Sequence, residues 1–276
     1  MSPILSIIIP CFNSEATLEA TLESVVSQNF QEWEALIIND GSRDKTEEIA
    51  LKWVTKDSRF KYYSKENEGL GKTRNYGIER AKGIYILPLD SDNLVERDFG
   101  EKALKVFKNN LNVGVVHGYA EYFGGREGLW KIDDFNLQKM LAHNYIDACA
   151  IFKKDLWRKV GGYDENMPHQ GHEDWEFWVS LSSIDTVFFN LHEITFKYFV
   201  SNKSMIHSFT DSMVFLNQDY IVKKHSKLFH NEYAKVVALR EIETKERSRK
   251  LKSKKFVIDL FCKTFLGLTV FKNKFE

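Results

Sequence analysis

The feature that most constrains the fold is an apolar run that recurs between helix-like segments in the first hundred residues. Strand-like runs occupy residues 4–10, 35–38, 60–63 and 84–89. Between the first two runs, Leu18, Leu22, Val25 and Val26 recur with helical spacing. Strands that alternate with helices of this length predict βαβ units. We therefore expect an α/β fold with a mainly parallel central sheet flanked by helices.

Polar side chains follow these runs where each predicted strand ends. Asn13 comes after the first run, Asp40 after the second, and Asp90 and Asp92 after the fourth. Ligands of open parallel sheets bind beyond the carboxyl ends of the strands. The sequence therefore predicts a binding site at this edge of the sheet.

The triplet Asp90-Ser91-Asp92 directly follows a buried strand. Two carboxylates at i and i+2 can turn toward one small volume, and their oxygens suit Mn²⁺ or Mg²⁺ together with substrate phosphates. One interpretation is that Asp92, with Asp90, holds such a metal. The alternative is an acidic turn in which an aspartate caps the next helix.

Two further positions have a similar pair of interpretations. Asp40, before the permissive Gly41, can accept hydrogen bonds from a nucleotide, or it can belong to an ordinary turn. Arg74 follows a glycine loop at the start of a predicted helix. It can contact a phosphate or a base carbonyl, or form a surface salt bridge.

Glu173 and Asp174 open a strongly aromatic predicted helix. Acidic residues in a first turn are favoured by the helix dipole, so simple capping explains them. The functional interpretation makes Asp174 a general base, supported by Glu173. We assign Trp175, Trp178 and His172 to the acceptor side, the tryptophans as a sugar-stacking wall, although aromatic residues at helical spacing also form cores.

Composition limits the partners and the compartment. Lys plus Arg and Asp plus Glu both number 39, so there is no net charge to attract nucleic acid. The three cysteines, Cys11, Cys149 and Cys262, are far apart and form no disulfide framework. The first apolar run is too short for a signal sequence or a membrane span. We expect a cytoplasmic protein.

Taken together, the motifs resemble the inverting glycosyltransferases of family two, which have the GT-A (nucleotide-diphospho-sugar transferase) fold. The motifs are SIIIPCFN at 6–13, NDGSRDKT at 39–46, ENEG at 66–69, TRN at 73–75, KGIYI at 82–86, LDSDN at 89–93, VGGYDE at 160–165 and EDWE at 173–176. Their order covers roughly residues 4–205. The resemblance implies a GT-A domain over 1–217, with a nucleotide-binding half at about 1–95 and an acceptor-side half at 96–217.

The resemblance also implies residue roles. The expected nucleotide contacts are Pro10, Phe12, Asn13, Asp40, Arg74, Asp90 and Ser91, with Phe12 packed on the base and Asp40 recognising it. Asp92 is the expected direct metal ligand and Asp174 the catalytic base. The implied reaction is one in-line displacement that transfers a hexosyl or N-acetylhexosaminyl group. The sugar passes with inversion from an α-linked UDP-sugar to a glycan or lipid-linked oligosaccharide, which forms a β-linkage.

One stretch departs from the family pattern. Many relatives have Tyr-Arg-x-His before a Ser-Met pair, whereas here residues 198–201 read YFVS before Ser204-Met205. His207 and Lys203 lie nearby but do not align. The alternative function is therefore a catalytically weakened subunit that binds sugar nucleotide or glycan.

Two other enzyme classes fit the sequence less well. A nucleotidyltransferase normally has a glycine- and lysine-rich phosphate loop after the first strand, where this chain has CFNS at residues 11–14. A dinucleotide-binding oxidoreductase would have G-x-G-x-x-G at the same place.

Residues 218–276 are predicted to form a helical, basic and amphipathic extension. Residues 245–255 contain seven Lys or Arg and one Glu. An apolar stripe follows at Val257, Leu260, Phe261, Phe265 and Leu268, with Asp259 and Lys263 opposite. Such a segment suits peripheral contact of residues 245–271 with the inner face of the cytoplasmic membrane. Docking on the catalytic domain or on a second subunit is the alternative, and the oligomeric state is not indicated.

Overall fold

A computed structural model describes residues 2–201 and 209–271. The chain divides into two compact units, residues 1–225 and 226–276. A helix at Asp211–Lys224 runs through the division that we predict at 217/218. The extension that is separate in the structure therefore begins at Ser226. The nucleotide-binding and acceptor-side roles of the two halves of the first domain remain predictions.

The strands of the described residues form one mixed sheet. They are β1 Leu5–Cys11, β2 Trp33–Asp40, β3 Phe60–Lys65, β4 Tyr85–Pro88, β5 Leu94–Val95, β6 Val113–Gly124, β7 Gly128–Trp130, β8 Ile151–Lys153 and β9 Val187–Val200. Their order is β3-β2-β1-β4-β8-β6-β9-β5, and β7 pairs with β6.

Helices flank this sheet and form the C-terminal extension. They are α1 Leu18–Val26, α2 Thr46–Lys56, α3 Leu70–Arg80, α4 Phe99–Asn109, α5 Leu137–Ala142, α6 Lys154–Val160, α7 Glu173–Ser182, α8 Asp211–Lys224, α9 Ser226–Leu251 and α10 Lys254–Leu266. The predicted α/β class with a helical C-terminal extension is confirmed.

Parallel pairing is concentrated in the first half of the sheet. Strands β3, β2, β1 and β4 are all parallel, so the ends of β1, β2 and β4 meet at one edge. The second half mixes directions, because β8 is antiparallel to both β4 and β6 whereas β6 and β9 are parallel. This change brings the ends of β6 and β9 beside the loop that follows β4.

Close packing of α3 against the sheet positions the helix that carries Arg74. A Cβ atom at Gly77 would lie 2.6 Å from Ile8 Cγ2 and 3.1 Å from Ile38 Cγ1. Only glycine lets the helix approach β1 and β2 this closely. The close approach holds the N-terminal turns of α3 at the carboxyl ends of the strands.

The second unit exposes most of its apolar side chains. Asp259 of α10 is buried, and its Oδ1 accepts the N–H groups of Val270 at 2.6 Å and Phe271 at 3.1 Å. The chain after α10 thus folds back over Asp259, although helical spacing places this residue opposite the apolar stripe. Eight apolar residues of this segment are 42–72% exposed: Val257, Ile258, Leu260, Phe261, Phe265, Leu266, Leu268 and Val270. Within residues 2–201 and 209–271, every helix is too short or too polar to cross a bilayer.

Candidate active site

A small cavity opens at the carboxyl ends of β1 and β2. Its volume is about 110 Å³. Phe12 at its rim is 54% exposed, whereas Asp40 is buried. The cavity is lined by Pro10, Cys11, Phe12, Asp40, Asn67, Leu70, Thr73 and Gln170. An exposed ring beside a buried carboxylate suits a flat, polar ligand such as a nucleotide base.

Asp40 organises the loop that closes this cavity. Its Oδ1 accepts Lys65 Nζ at 2.7 Å and the Glu68 N–H at 3.0 Å, and its Oδ2 accepts the Gly69 N–H at 3.0 Å. A carboxylate oxygen can accept two hydrogen bonds, so Oδ2 keeps capacity for a ligand. The carboxylate therefore shapes the cavity wall before any ligand binds.

Asn13 and Ser91 join the loops of neighbouring strands. Asn13, with φ of 52°, accepts the Arg43 N–H at its Oδ1 over 2.9 Å, and its own N–H donates to Ser42 Oγ. Ser91 Oγ lies 2.7 Å from Ser14 Oγ. Both predicted nucleotide contacts thus hold the loops after β1, β2 and β4 together.

Arg74 is the buried cation of the site. It is 2% exposed, and its Nη2 donates to Asp90 Oδ1 at 2.8 Å. Its Nε has no hydrogen-bond partner among residues 2–201 and 209–271. Burial alone would lower the pKa of Arg74, but the carboxylates of Asp90, Glu173 and Asp174 raise it. The guanidinium therefore stays charged, with one N–H available to an anionic ligand.

Asp92 lies in an environment that disfavours a lone negative charge. Burial, together with the charge of Asp90, raises its pKa to about 7. In the described part of the chain no group of three or more His, Cys, Asp or Glu is placed to hold a metal ion. Mg²⁺ and Mn²⁺ need only one or two carboxylates when substrate phosphates complete the shell. A cation would offset the repulsion between Asp90 and Asp92, so this pair fits such an ion.

Asp174 lies in the first turn of α7. Its Oδ2 accepts Asn144 Nδ2 at 2.9 Å, and its Oδ1 accepts the Trp175 N–H at 2.8 Å. Burial raises the pKa of Asp174 above that of an ordinary aspartate, while Arg74 and these hydrogen bonds limit the rise. A carboxylate with a raised pKa is a stronger base for an acceptor hydroxyl.

Glu173 differs from its neighbour Asp174 in its contacts. It is buried, its Oε2 accepts the Gly171 N–H at 2.8 Å, and burial raises its pKa. It thereby fixes the entry to α7. This arrangement suits the supporting role that the sequence predicts.

Sequence reasoning missed Asn144 and Asp147, which lie on the loop between α5 and β8. Asp147 Oδ1 accepts the Cys149 N–H at 2.8 Å. Burial, with the charges of Asp90 and Asp174, raises the pKa of Asp147 to about 8. Only the apolar run that follows marks this loop in the sequence, and nothing there signals that it reaches Asp90 and Asp174.

The aromatic residues of α7 are core residues, the alternative that the sequence had left open. Trp175 and Trp178 are 4% and 0% exposed, and their indole N–H groups donate to the carbonyls of Met140 and Ile146. They have no face free for a sugar ring. His172 is half-buried and its Nδ1 lies 3.0 Å from Asn217 Nδ2, so it links α7 to α8.

The C-terminal end of α8 also contacts α7 through the buried carboxylate of Glu176, a contact that sequence reasoning did not find. Lys224 Nζ lies 2.8 Å from Glu176 Oε1 and 2.5 Å from Asp164 Oδ2. His225 Nε2 lies 2.7 Å from the same glutamate oxygen. These contacts fix the helix on which Asp174 lies. Lys203, Ser204-Met205 and His207 fall outside the described residues.

The sequence matches a family model and several curated proteins. The model described as glycosyl transferase family 2 matches residues 6–162. An uncharacterised glycosyltransferase of Rickettsia typhi is 30% identical over 229 residues, which cover 79% of this chain and 68% of that protein. The poly-β-1,6-N-acetyl-D-glucosamine synthase of Staphylococcus epidermidis is 31% identical over 59% of this chain and 42% of its own length.

Solved structures share the fold at low sequence identity. TarS 1-349 of S. aureus in complex with UDP-GlcNAc superposes with a TM-score of 0.64 at 20% identity, over 76% of this chain and 62% of that chain. A mannosyltransferase of Pyrobaculum calidifontis, in complex with GDP-Man and Mn²⁺, gives a TM-score of 0.57 at 16% identity. It aligns with 74% of this chain and 59% of its own.

Proposed function

Because this chain belongs to glycosyl transferase family 2 and has the GT-A fold, we propose that it transfers a sugar from a UDP-sugar to a hydroxyl group of a glycan or lipid-linked glycan. Transfer is metal-dependent and inverts the anomeric centre, so the product is β-linked. The transferred group is of the hexosyl or N-acetylhexosaminyl type. TarS is described with UDP-GlcNAc and one curated relative is named for a polymer of N-acetylglucosamine, which supports this donor class.

The observation that carries the proposal is the convergence of three elements on one buried cation. Arg74 of α3 pairs with Asp90 after β4 and interacts electrostatically with Asp174 of α7. Arg74, which suits an anionic donor, and Asp174, which suits the role of general base, thus belong to one electrostatic cluster. Such convergence is what a displacement between a diphosphate donor and a neutral hydroxyl requires.

The site residues divide the tasks of the proposed reaction. The base of the donor occupies the cavity between Phe12 and Asp40, and Arg74 with Asp90 orients the ribose and phosphates. Asp174 takes the proton of the acceptor hydroxyl as its oxygen bonds to the anomeric carbon. The bond from that carbon to the diphosphate breaks, and UDP leaves with the electron pair.

Asp90 and Asp92 are the residues that would hold the divalent metal. When bound, Mn²⁺ or Mg²⁺ neutralises the charge that develops on the diphosphate leaving group. The raised pKa of Asp92 supports this assignment, because a nearby cation favours the ionised carboxylate.

A panel of nucleotide sugars tests the proposal by thermal shift and by slow donor hydrolysis, with and without Mn²⁺. A ligand that binds the native state raises its apparent stability. We expect one UDP-sugar to stabilise the protein only with metal and to be hydrolysed. Asp92→Ala should abolish the metal-dependent shift, whereas the exposed Asp155→Ala should leave it intact. Binding without hydrolysis or transfer would favour the alternative of a weakened binding subunit.

The C-terminal extension supports a proposal about location. The eight exposed apolar residues of 257–270 follow a stretch with seven basic residues. Interfacial binding has two components. Apolar side chains insert into the membrane surface, and basic side chains attract anionic headgroups. We propose that residues 245–271 contact an anionic membrane surface, where a lipid-linked acceptor would be found.

Sedimentation with vesicles tests the membrane contact at low salt. The full chain should sediment with phosphatidylglycerol vesicles and remain in solution with phosphatidylcholine vesicles. The double substitution Phe261→Ser and Phe265→Ser should release it, whereas Tyr233→Ser, an exposed aromatic residue of α9, should not. Equal sedimentation of all variants with anionic vesicles would contradict insertion of the α10 face.

A further inference from the structure

Three aromatic rings meet on one face of the second half of the sheet. Trp130 on β7 and the Tyr122 side chain on β6 are stacked with ring centroids 5.8 Å apart and an interplanar angle of 1°. Tyr198 on β9 meets the edges of both, with centroids at 5.8 Å from Trp130 and 6.0 Å from Tyr122. All three rings are half-buried. We refer to these three residues as the aromatic shelf.

The sheet register explains how the shelf forms. Ala120 of β6 pairs with Trp130 on one side and with Phe196 on the other, and Tyr122 pairs directly with Tyr198. Because the buried Ala120 side chain is small, rings from the two flanking strands can meet across it. Side chains alternate along a strand, so Leu129 of β7 points to the opposite face from Trp130.

The shelf borders the proposed active site. Asn93 follows Asp92 directly, and its Oδ1 accepts the N–H of Phe199 at 3.0 Å, next to Tyr198. Burial, together with the charges of Asp147, Asp90, Asp92 and Asp174, raises the pKa of the Tyr198 phenol. The rings thus adjoin the carboxylates on the β6–β9 side, whereas the cavity suited to the nucleotide base lies at β1 and β2.

Half-buried rings beside carboxylates offer the two kinds of contact that a pyranose ring can make. The C–H groups of a sugar face pack on aromatic rings, and its hydroxyls donate to carboxylates. We propose that the terminal sugar of a saccharide acceptor packs on Trp130 and Tyr198 while Asp147 accepts one of its hydroxyl groups. This inference rests on the proposed transfer reaction and names the residues that select its saccharide acceptor.

A matched pair of substitutions tests the stacking. Trp130→Phe keeps an aromatic face, whereas Trp130→Leu keeps only apolar volume. The assay uses UDP-GlcNAc, Mn²⁺ and a panel of soluble oligosaccharides that includes β-1,6-linked N-acetylglucosamine, and it compares transfer with donor hydrolysis. We expect Trp130→Leu to lower the ratio of transfer to hydrolysis about tenfold or more, and Trp130→Phe to lower it less. Leu129→Ala serves as the control on the opposite face and should leave the ratio unchanged.

Asp147→Asn gives a second, independent measurement, because it should raise the acceptor KM more than the donor KM. Equal ratios in Trp130→Leu, Trp130→Phe and the wild type would overturn the shelf as an acceptor platform. Donor hydrolysis by the wild type without binding or transfer to any oligosaccharide would overturn a saccharide acceptor and leave the proposed donor chemistry standing. A wild type that neither binds nor hydrolyses any nucleotide sugar would overturn the proposed function and this inference together.

Discussion

Asn144 Nδ2 donates to Asp174 Oδ2 over 2.9 Å, although the two residues are 30 positions apart and lie on different elements. A hydrogen bond to a carboxylate stabilises its charged form and lowers its pKa. Asn144 therefore opposes the burial that raises the pKa of Asp174. A residue that no sequence motif marks thus helps burial and Arg74 to set the pKa of the proposed base.

We expect Asn144→Ala to shift the acid limb of the pH profile of kcat/KM to higher pH. Without the donated hydrogen bond the pKa of Asp174 rises further, so the base becomes protonated at a higher pH. Kinetic profiles at saturating metal measure the shift. An acid limb that stays in place would show that Asn144 does not act on the titrating group.

Asp174→Asn should lower transfer about 100-fold or more, because general-base catalysis typically contributes that much. The donor should still bind, since the amide preserves the shape of the side chain and lies on the acceptor side. Turnover together with a UDP-sugar thermal shift separates the two effects. Normal transfer by this variant would exclude Asp174 as the base.

Arg74→Gln should reduce stability by roughly 3 kcal/mol at pH 8, because it leaves neighbouring buried carboxylates without their cation. The loss should be smaller at pH 5, where Asp147, whose pKa burial raises to about 8 against the opposing charge of Arg74, is protonated and no longer needs that cation. Denaturant unfolding at both pH values measures the difference. Arg80→Gln at the end of the same helix is the control, and an equal Arg74→Gln loss at both pH values would contradict the electrostatic cause.

Asp147→Asn should stabilise the metal-free protein at alkaline pH. The pKa of Asp147 is raised to about 8 in the folded state from an ordinary 3.8. Its favourable contribution to the stability of the fold is therefore fully present below the pKa of the unfolded state. That contribution is lost as pH rises through the folded-state value. The Tm advantage of Asp147→Asn should therefore grow between these two pH values and then level off. Thermal melts with a chelator present measure it, and a pH-independent difference would contradict the assignment.

Glu176→Ala should destabilise the first unit by roughly 3 kcal/mol, because it removes the buried carboxylate that contacts Ser180 and His225, whereas Lys224 keeps Asp164 as a partner. A loss of this size corresponds to a fall in Tm of about 10 °C. Asp219→Ala removes a partly exposed carboxylate that pairs with Lys223 on the same helix, and it should change Tm little. Similar melting temperatures for the two variants would contradict a stabilising role for the contacts of Glu176 between α7 and the end of α8.

The sequence alone determined the α/β class and the strand-end positions of Asp40, Asp90 and Asp92. These features depend on the local alternation of strand and helix and on the rule that the carboxyl ends of parallel strands share an edge. The helical extension was equally readable, because helical spacing and basic composition are local properties.

Tertiary structure alone decided which distant side chains meet. Asn144, Asp147 and Tyr198 lie near the carboxylates of the proposed active site because β8 and β9 enter the sheet out of sequence order. The helical periodicity of Trp175 and Trp178 is the same for a core and for a ligand wall, and only the tertiary packing of α7 buried them. Asp259 likewise became buried when the following chain folded back on it. Sequence patterns report local periodicity, whereas burial and long-range contacts depend on which elements pack together.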